Sequence, residues 1–246
     1  MIRLLHIDSS ARPGRSGEQA HGSHTRRLSA RFVRRWQERR PGDTVVHRDV
    51  GDQPPAPVTG AWVHAAFSKP EEREPWMHAA LEQSDALVDE LLAADLIVIG
   101  VPMYNFGMPS TLKAWIDNIV RVGRTFGFDR SRAGDPYWPL LAGHGKRLVL
   151  LSSRGDYGYN PGERLGAINH VEAGVASPLR YIGIDAVDSV AIEYDEFGDE
   201  RLHASIATAE AEVDALVERL TSSAMSMPVA EPASMAPRPA PDALAS

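Results

Sequence analysis

The chain has 246 residues, and its 33 acidic side chains outnumber its 26 Lys and Arg side chains, which gives a formal net charge of −7. This charge argues against nucleic acid or an anionic membrane surface as the main partner. The chain has no cysteine, which excludes disulfides, thiolate catalysis and Cys-ligated zinc or iron–sulfur centres. No apolar run approaches the roughly 18 residues of a membrane span, and the N-terminal residues lack the features of a signal peptide. The cytoplasm is therefore the expected compartment.

Alternating strand and helix patterns run along most of the chain. Short apolar runs predict strands at 2–7, 44–49, 96–101, 147–152 and 186–194. Helical spacing of apolar residues predicts helices at 25–39, 77–94, from Pro109 onward, 161–182 and 204–220. Strict alternation of this kind favours right-handed βαβ units, and so an α/β fold with a doubly wound, five-stranded parallel sheet in the order 2-1-3-4-5 and helices on both faces.

Two segments fall outside this pattern. Residues 51–75 are rich in proline and glycine and are expected to form a long surface loop, which is often a lid or a partner contact. From about Ser222 the composition shifts to Ala, Pro, Ser and Met without periodicity. We therefore expect one domain at 1–222 and a disordered Ala/Pro-rich tail at 223–246.

Ligands of such a sheet bind beyond the carboxyl ends of its strands, so the loops after strands one, three and four are the ones to inspect. The first loop carries Ser10 and then Ser23, His24 and Thr25 immediately before a helix. Hydroxyls and backbone amides at a helix N-terminus can bind phosphate, although the same residues can serve only as a helix cap. Neither a dinucleotide fingerprint nor a Walker A motif is present in this loop.

The loop after the third strand has an unusual composition, with Pro102, Met103, Tyr104, Asn105 and Phe106 in succession. Its aromatic rings offer flat apolar surface to a planar ligand, and Asn105 offers one donor and one acceptor. The alternative is that the two aromatic rings simply plug the end of the sheet.

The loop after the fourth strand carries Ser153, Arg154, Gly155 and Asp156. Glycine lets the backbone approach a ligand closely, and Arg154 and nearby amides could face ring oxygens. The alternative is a tight turn with an exposed arginine. Together the three loops suit the three parts of a phosphorylated flavin.

Four motifs carry a family resemblance: PMYNF at 102–106, LKAWID at 112–117, RVGRTF at 121–126 and SRG at 153–155. With these motifs the chain resembles the FMN-dependent NADH:quinone oxidoreductases, also called azoreductases, over about residues 2–220. The resemblance implies a flavodoxin-like fold, an FMN cofactor, NADH or NADPH as co-substrate and a quinone or azo compound as acceptor. It also implies a homodimer with active sites at the subunit interface.

By this resemblance, Ser10 and the segment Ser23, His24 and Thr25 would bind the FMN phosphate and ribityl chain. Residues 102–106 would line the isoalloxazine ring, and residues 153–156 would contact its other edge. The sequence departs from the family at two places. The first loop is longer than usual, which leaves open whether Ser16 or Ser23 starts the phosphate segment. Asp156 stands where a second glycine is usual, and this acid either alters the flavin potential or points to solvent.

The resemblance further implies ping-pong turnover, in which hydride passes through N5 of FMN and no protein nucleophile or general base is required. Arg154 is the hypothetical stabiliser of negative charge on the ring. Phe126 and Phe128 are candidates for the acceptor site, together with Trp62 and Phe67 of the long loop, or else they are core or interface aromatics.

Other functions remain as alternatives. A flavodoxin-type electron carrier would serve protein partners, but such a carrier should be smaller and more acidic. A binding module without turnover is a third possibility, which the intact flavin loops disfavour. No metal site is expected, because His21 and His24 lack a third ligand at matching spacing.

Overall fold

The computed structural model describes residues 1–223, whose centre is a five-stranded parallel sheet. The strands are β1 (Arg3–Asp8), β2 (Thr44–Asp49), β3 (Leu96–Pro102), β4 (Phe126–Phe128), β5 (Tyr137–Pro139), β6 (Arg147–Ser153) and β7 (Ala186–Ile192). The sheet order is β2-β1-β3-β6-β7, and every neighbouring pair is parallel. Without the short strands β4 and β5, this is the order 2-1-3-4-5. The predicted fold class is thus confirmed.

Helices cover both faces of the sheet. They are α1 (His24–Arg39), α2 (Gly60–Phe67), α3 (Pro75–Ala93), α4 (Ser110–Ile119), α5 (Val171–Tyr181) and α6 (Glu200–Ser223). Phe32 of α1 and Val213 of α6 pack in one apolar cluster with Val98 of β3. Helices α3, α4 and α5 pack in a second cluster against the other face. All seven residues of β3 are buried, as the unbroken apolar run predicted.

Helix α2 lies inside the segment 51–75 that the sequence predicts to be a loop. Thr59 caps it by accepting a hydrogen bond from the backbone N–H of Trp62. Ala65 and Ala66 are buried against α3 in a small separate cluster. The buried face of this helix is built mostly from alanine, so its apolar period is weak and the surrounding prolines and glycines obscure it.

One helix boundary and one hairpin also differ from the prediction. The predicted helix at 161–182 begins only at Val171, because turns and a short 3-10 helix (Gly166–Ile168) occupy its first part. Gly162 in that part has φ +85°, which a helix does not allow. Strands β4 and β5 form an antiparallel hairpin that was not predicted, since three-residue strands show no period.

Residues 224–246, which hold nearly all of the predicted tail, lie outside the described residues, and Ser223 is the last residue of α6. No helix within residues 1–223 combines the length and apolar composition that crossing a bilayer requires.

The strands of the sheet all end at one edge. Ser9 follows β1, Met103 follows β3, Arg154 follows β6 and Glu193 follows β7. Four loops therefore meet at this carboxyl edge, where a parallel sheet places its ligands.

Candidate active site

A cavity of about 240 Å³ opens at the carboxyl edge of the sheet. The loops after β1, β3, β6 and β7 all contribute to it. Its lining residues are Ser10, Arg12, Ser23, His24, Pro102, Met103, Tyr104, Ser153, Gly155, Asp195 and Glu196. Eight of these eleven belong to the set of cofactor-binding residues predicted from the sequence. The structure therefore brings the three predicted loops together at one cavity.

The first loop meets this cavity at the N-terminus of α1. The Oγ atom of Ser23 accepts a hydrogen bond from the backbone N–H of Arg26 at 3.3 Å and lies 2.9 Å from Oγ1 of Thr25. Ser16 instead contacts Nδ1 of His24 at 2.8 Å. Ser23 is therefore the N-cap of α1, which begins at His24. The first turn of a helix leaves backbone N–H groups without helical partners and carries the positive end of the macrodipole, so this wall of the cavity attracts anions.

The loop after β3 is a tight turn. Tyr104 and Gly107 exchange backbone hydrogen bonds of 2.8 and 3.1 Å, and the two residues between them are left-handed, with φ +47° at Asn105 and +68° at Phe106. Asparagine tolerates this region, but for a bulky residue it costs roughly 1–3 kcal/mol. The turn holds both aromatic rings outward, with Tyr104 38% and Phe106 48% exposed. The rings do not plug the end of the sheet.

Tyr104 also connects two of the loops. Its hydroxyl accepts a hydrogen bond from the backbone N–H of Ala11 at 3.2 Å. Asn105 and Phe106 themselves are not among the residues that line the cavity. They directly follow Tyr104, which does line it.

The loop after β6 places Ser153 and Gly155 on the cavity but turns Arg154 away from it. Arg154 is only 3% exposed, and its guanidinium donates to Glu172 at 2.6 Å and to Glu193 at 3.0 Å. The guanidinium thus links β6 to α5 and to the segment that follows β7. Its donors point at these carboxylates, so the charge-stabilising role suggested for Arg154 does not fit its position.

Asp156, which stands where the family usually has a second glycine, forms an ion pair with Arg164. Its Oδ2 lies 2.6 Å from Nη2 of Arg164, and it is not among the cavity residues. The hydrogen bond from Arg164 lowers the pKa of Asp156, so the carboxyl is ionised at neutral pH. Asp156 therefore forms its ion pair with Arg164 outside the cavity.

The loop after β7 adds a wall that the sequence analysis missed. Asp195 accepts from Nε2 of His24 at 3.1 Å and lies 3.6 Å from Nη1 of Arg12. The hydrogen bond from His24 lowers the pKa of Asp195 below its usual range. Glu196 follows directly and also lines the cavity. No motif marks these residues; their one signal is that they follow a strand of the same parallel sheet.

Phe126 and Phe128 lie on β4 and do not line the cavity. Their rings form an aromatic cluster with Tyr137, at centroid distances of 6.2 and 4.7 Å, and Phe126 also contacts Tyr181 at 5.3 Å. Phe126 belongs to the buried core beneath α3, α4 and α5. Within this single chain the structure does not bring either ring to the cavity, which fits the alternative of core or interface aromatics.

The chain is similar to known proteins over most of its length. A family model described as flavodoxin-like fold matches residues 2–217. The chain is 40% identical over 221 residues to FMN-dependent NADH:quinone oxidoreductase 2 of Idiomarina loihiensis, covering 90% of this chain and 91% of that one. It is 43% identical over 217 residues to FMN-dependent NAD(P)H:quinone oxidoreductase 1 of Pseudomonas aeruginosa, covering 88% of this chain and 98% of that one.

Solved structures show the same fold. A crystal structure of azoreductase from Bacillus anthracis str. Sterne has a TM-score of 0.76 at 23% identity and covers 89% of this chain and all of that chain. An FMN-dependent NADH-azoreductase from Bacillus anthracis str. Ames Ancestor, solved in complex with FMN, has a TM-score of 0.75 at 18% identity, covering 89% of this chain and 99% of that chain.

Proposed function

Since the chain belongs to the family of FMN-dependent NADH:quinone oxidoreductases, we propose that it is an FMN-dependent NAD(P)H:quinone oxidoreductase that also reduces azo compounds. The observation that carries this proposal is the cavity at the carboxyl edge of the sheet, where the loops after β1, β3 and β6 meet. The relatives that cover about nine tenths of the chain are named as oxidoreductases, which favours this function over a flavodoxin-type electron carrier.

The donor groups of the cavity suit the phosphate of FMN on one side. We assign the phosphate and ribityl chain to Ser10, Ser23 and His24, which line the cavity, and to Thr25, which is buried directly behind them in the first turn of α1, because hydroxyls and the positive helix end converge there. Arg12 adds a cationic side chain to the same wall. Local donors are needed, because the net charge of −7 repels an anion at long range.

The other side of the cavity suits a flat ring. Pro102, Met103 and Tyr104 provide apolar and aromatic surface, and Asn105 and Phe106 extend it at the rim. Ser153 and Gly155 face the ring edge, where glycine allows the backbone a close approach. We assign Arg154 and Asp156 a positioning role, since their ion pairs to Glu172, Glu193 and Arg164 fix the shape of this loop.

Bound FMN supplies the two-electron chemistry between NADH or NADPH and the acceptor. The side chains of this protein are left with binding, orientation and exclusion of water. No nucleophile or general base is needed among them, so no single residue is expected to abolish turnover while FMN stays bound.

The acceptor site is proposed to be completed by a second copy of the chain. Tyr104 and Phe106 leave aromatic surface exposed beside the cavity, and apolar surface of this kind marks interaction sites. In a homodimer, the hairpin with Phe128 and the exposed Tyr137 would supply a flat apolar surface for a quinone or azo compound, with Phe126 as its buried support. The single domain at 1–222 and the cytoplasmic location also remain part of the proposal.

Steady-state assays test the proposed function. Purified protein loaded with FMN should oxidise NADH rapidly with a benzoquinone and slowly without it. Fast reduction of protein acceptors with negligible quinone turnover would favour the electron carrier instead, and FMN binding without any NADH oxidation would favour a binding module.

The residue assignment has a separate test. His24→Ala should weaken FMN binding roughly tenfold, because it removes a ring that lines the phosphate side of the cavity and leaves the Asp195 carboxylate beside the phosphate without its hydrogen bond, a loss of about 1–3 kcal/mol. His144→Ala, at an exposed position away from the cavity, is the matched control and should bind FMN like the wild type. Equal affinity of both variants would contradict the assignment of the phosphate side.

A further inference from the structure

Two histidines and one aspartate meet on the α1 face of the sheet, at its β2 edge. His6 and Asp8 alternate along β1 and therefore point to the same face. His47 is the register partner of His6 on β2. The proposed oxidoreductase function uses none of these three side chains, and none of them lines the cavity at the carboxyl edge.

The ligand atoms of this cluster are spaced as a metal ion requires. The Nε2 atom of His47 lies 3.0 Å and the Nε2 atom of His6 lies 3.4 Å from Oδ2 of Asp8. One ligand atom from each residue lies within 4.8 Å of the other two. A tetrahedral Zn²⁺ ion with bonds of about 2.1 Å separates its ligand atoms by roughly 3.4 Å. The observed distances are close to this separation.

His6 points to a ligand independently of the spacing. Its side chain is about nine tenths buried, and among the described residues its Nε2 atom has no hydrogen-bond partner. A buried nitrogen left in this state costs about 1–3 kcal/mol. A cation bound between the three side chains would satisfy it.

The aspartate is prepared for this role by its neighbours. Ser29 donates to Oδ1 of Asp8 at 2.8 Å and so leaves Oδ2 to face the imidazoles. The nearby cation is Arg26, whose Nη1 lies 3.5 Å from Oδ2. Its guanidinium binds both oxygens of Asp49, which balances the charge.

The cluster opens into a groove of about 950 Å³ between the first loop, α1 and β2. This groove provides a route for an ion and room for a water molecule as the fourth ligand. The two imidazole rings are stacked with centroids 4.5 Å apart. His47, whose side chain is 49% exposed, has the freedom to turn its Nε2 toward the ion.

We propose that His6, Asp8 and His47 form a binding site for a divalent transition-metal ion of the Zn²⁺ type, with an open fourth position in the groove. Two imidazoles and one carboxylate favour such an ion over Mg²⁺, which prefers oxygen ligands. The ion would cross-link the edge strand β2 to β1, directly before Ser9 and Ser10. Sequence spacing does not reveal this site, because His47 is 39 residues away from Asp8 and reaches it only through the parallel register.

Calorimetric titration of the FMN-loaded full chain, without a histidine tag and after treatment with a chelator, tests the site. Zn²⁺ should bind with a stoichiometry of one per chain, and Mg²⁺ at the same concentrations should not. His47→Gln should weaken Zn²⁺ binding at least tenfold, since each ligand contributes strongly to affinity. His78→Gln, at an exposed position on α3, is the matched control and should bind like the wild type.

His6→Gln provides a second variant, with the circular-dichroism spectrum as the check on its fold. Co²⁺ bound to the wild type should show absorption bands in the visible range. Loss of these bands in both His6→Gln and His47→Gln would support imidazole ligation. Zn²⁺ binding that is equally strong in His47→Gln and in the wild type, or no binding at all by the wild type, would overturn the proposal.

Discussion

The Nε2 atom of His24 lies 3.1 Å from Oδ1 of Asp195, so the loop after β7 contacts the N-terminus of α1 beside the cavity. Arg12 approaches the same carboxylate at 3.6 Å. In the proposed function, the imidazole of His24 and the guanidinium of Arg12 face the FMN phosphate. The carboxylate of Asp195 lies beside the same groups and therefore repels the phosphate.

Asp195→Asn should therefore tighten FMN binding. Removing one negative charge beside the phosphate is expected to be worth about 1 kcal/mol, or roughly fivefold in affinity. Titration of flavin-free protein with FMN, followed by quenching of flavin fluorescence, measures the change. Asp199→Asn is the matched control, because this exposed aspartate pairs with Arg201 and does not line the cavity. Weaker binding by Asp195→Asn would mean that the carboxylate mainly orients His24.

The buried position of Arg154 predicts a large effect on stability. Arg154→Met removes the partner of Glu172 and Glu193, and uncompensated buried charge costs about 3–5 kcal/mol. Arg164→Met breaks the exposed pair with Asp156 and should cost about 1 kcal/mol or less. Urea unfolding of both variants without flavin gives the comparison. Similar losses in the two variants would contradict the assigned positioning role.

Glu172 predicts how this stability depends on pH. Burial raises the pKa of Glu172, but the charge and the hydrogen bond of Arg154 lower it by more than burial raises it. The pKa of Glu172 in the folded protein therefore lies below the ordinary value of 4.5. A carboxyl whose pKa is lower in the folded protein than in the unfolded chain stabilises the fold at every pH above its unfolded pKa. This stabilisation is lost as the pH falls through the folded pKa. Glu172→Gln should thus be about 2 kcal/mol less stable at pH 7. The difference from the wild type should shrink below pH 4.5 in urea unfolding; a constant difference would contradict the pairing.

Two substitutions of Phe106, whose backbone is left-handed, distinguish the effect of backbone strain on stability from the effect of the aromatic ring on acceptor binding. Phe106→Gly removes both the strain and the ring, whereas Phe106→Leu removes the ring and keeps a side chain at φ +68°. We expect the glycine variant to be more stable than the leucine variant by about 1 kcal/mol. Both should show a higher KM for a quinone, because each lacks the aromatic surface at the rim. A leucine variant with unchanged KM would remove Phe106 from the acceptor site.

The positions of the cavity residues illustrate what the sequence could predict. Ser10, Met103 and Ser153 each follow an apolar run, and a parallel sheet brings the ends of such runs to one edge. The same reasoning extends to Asp195 and Glu196 after β7, but no glycine, proline or family motif draws attention to them. The hairpin of β4 and β5 escaped because three residues are too few to show a period.

The ion-pair partners of Arg154 could not be predicted from the sequence. An arginine in a polar loop looks like a donor to a ligand, and its true partners lie 18 and 39 residues away on other elements. Only the packing of α5 against β6 brings Glu172 to the guanidinium. The same holds for His47 and Asp8, which meet through the register of two strands. Contacts of this kind depend on the fold as a whole rather than on local pattern.

The most direct measurement is the absorbance spectrum of the purified protein, recorded anaerobically before and after NADH and again after a benzoquinone. The proposed function predicts flavin bands that bleach with NADH and return when the quinone is added, with one FMN per chain. A protein that takes up no FMN, or flavin bands that NADH does not bleach, would contradict it.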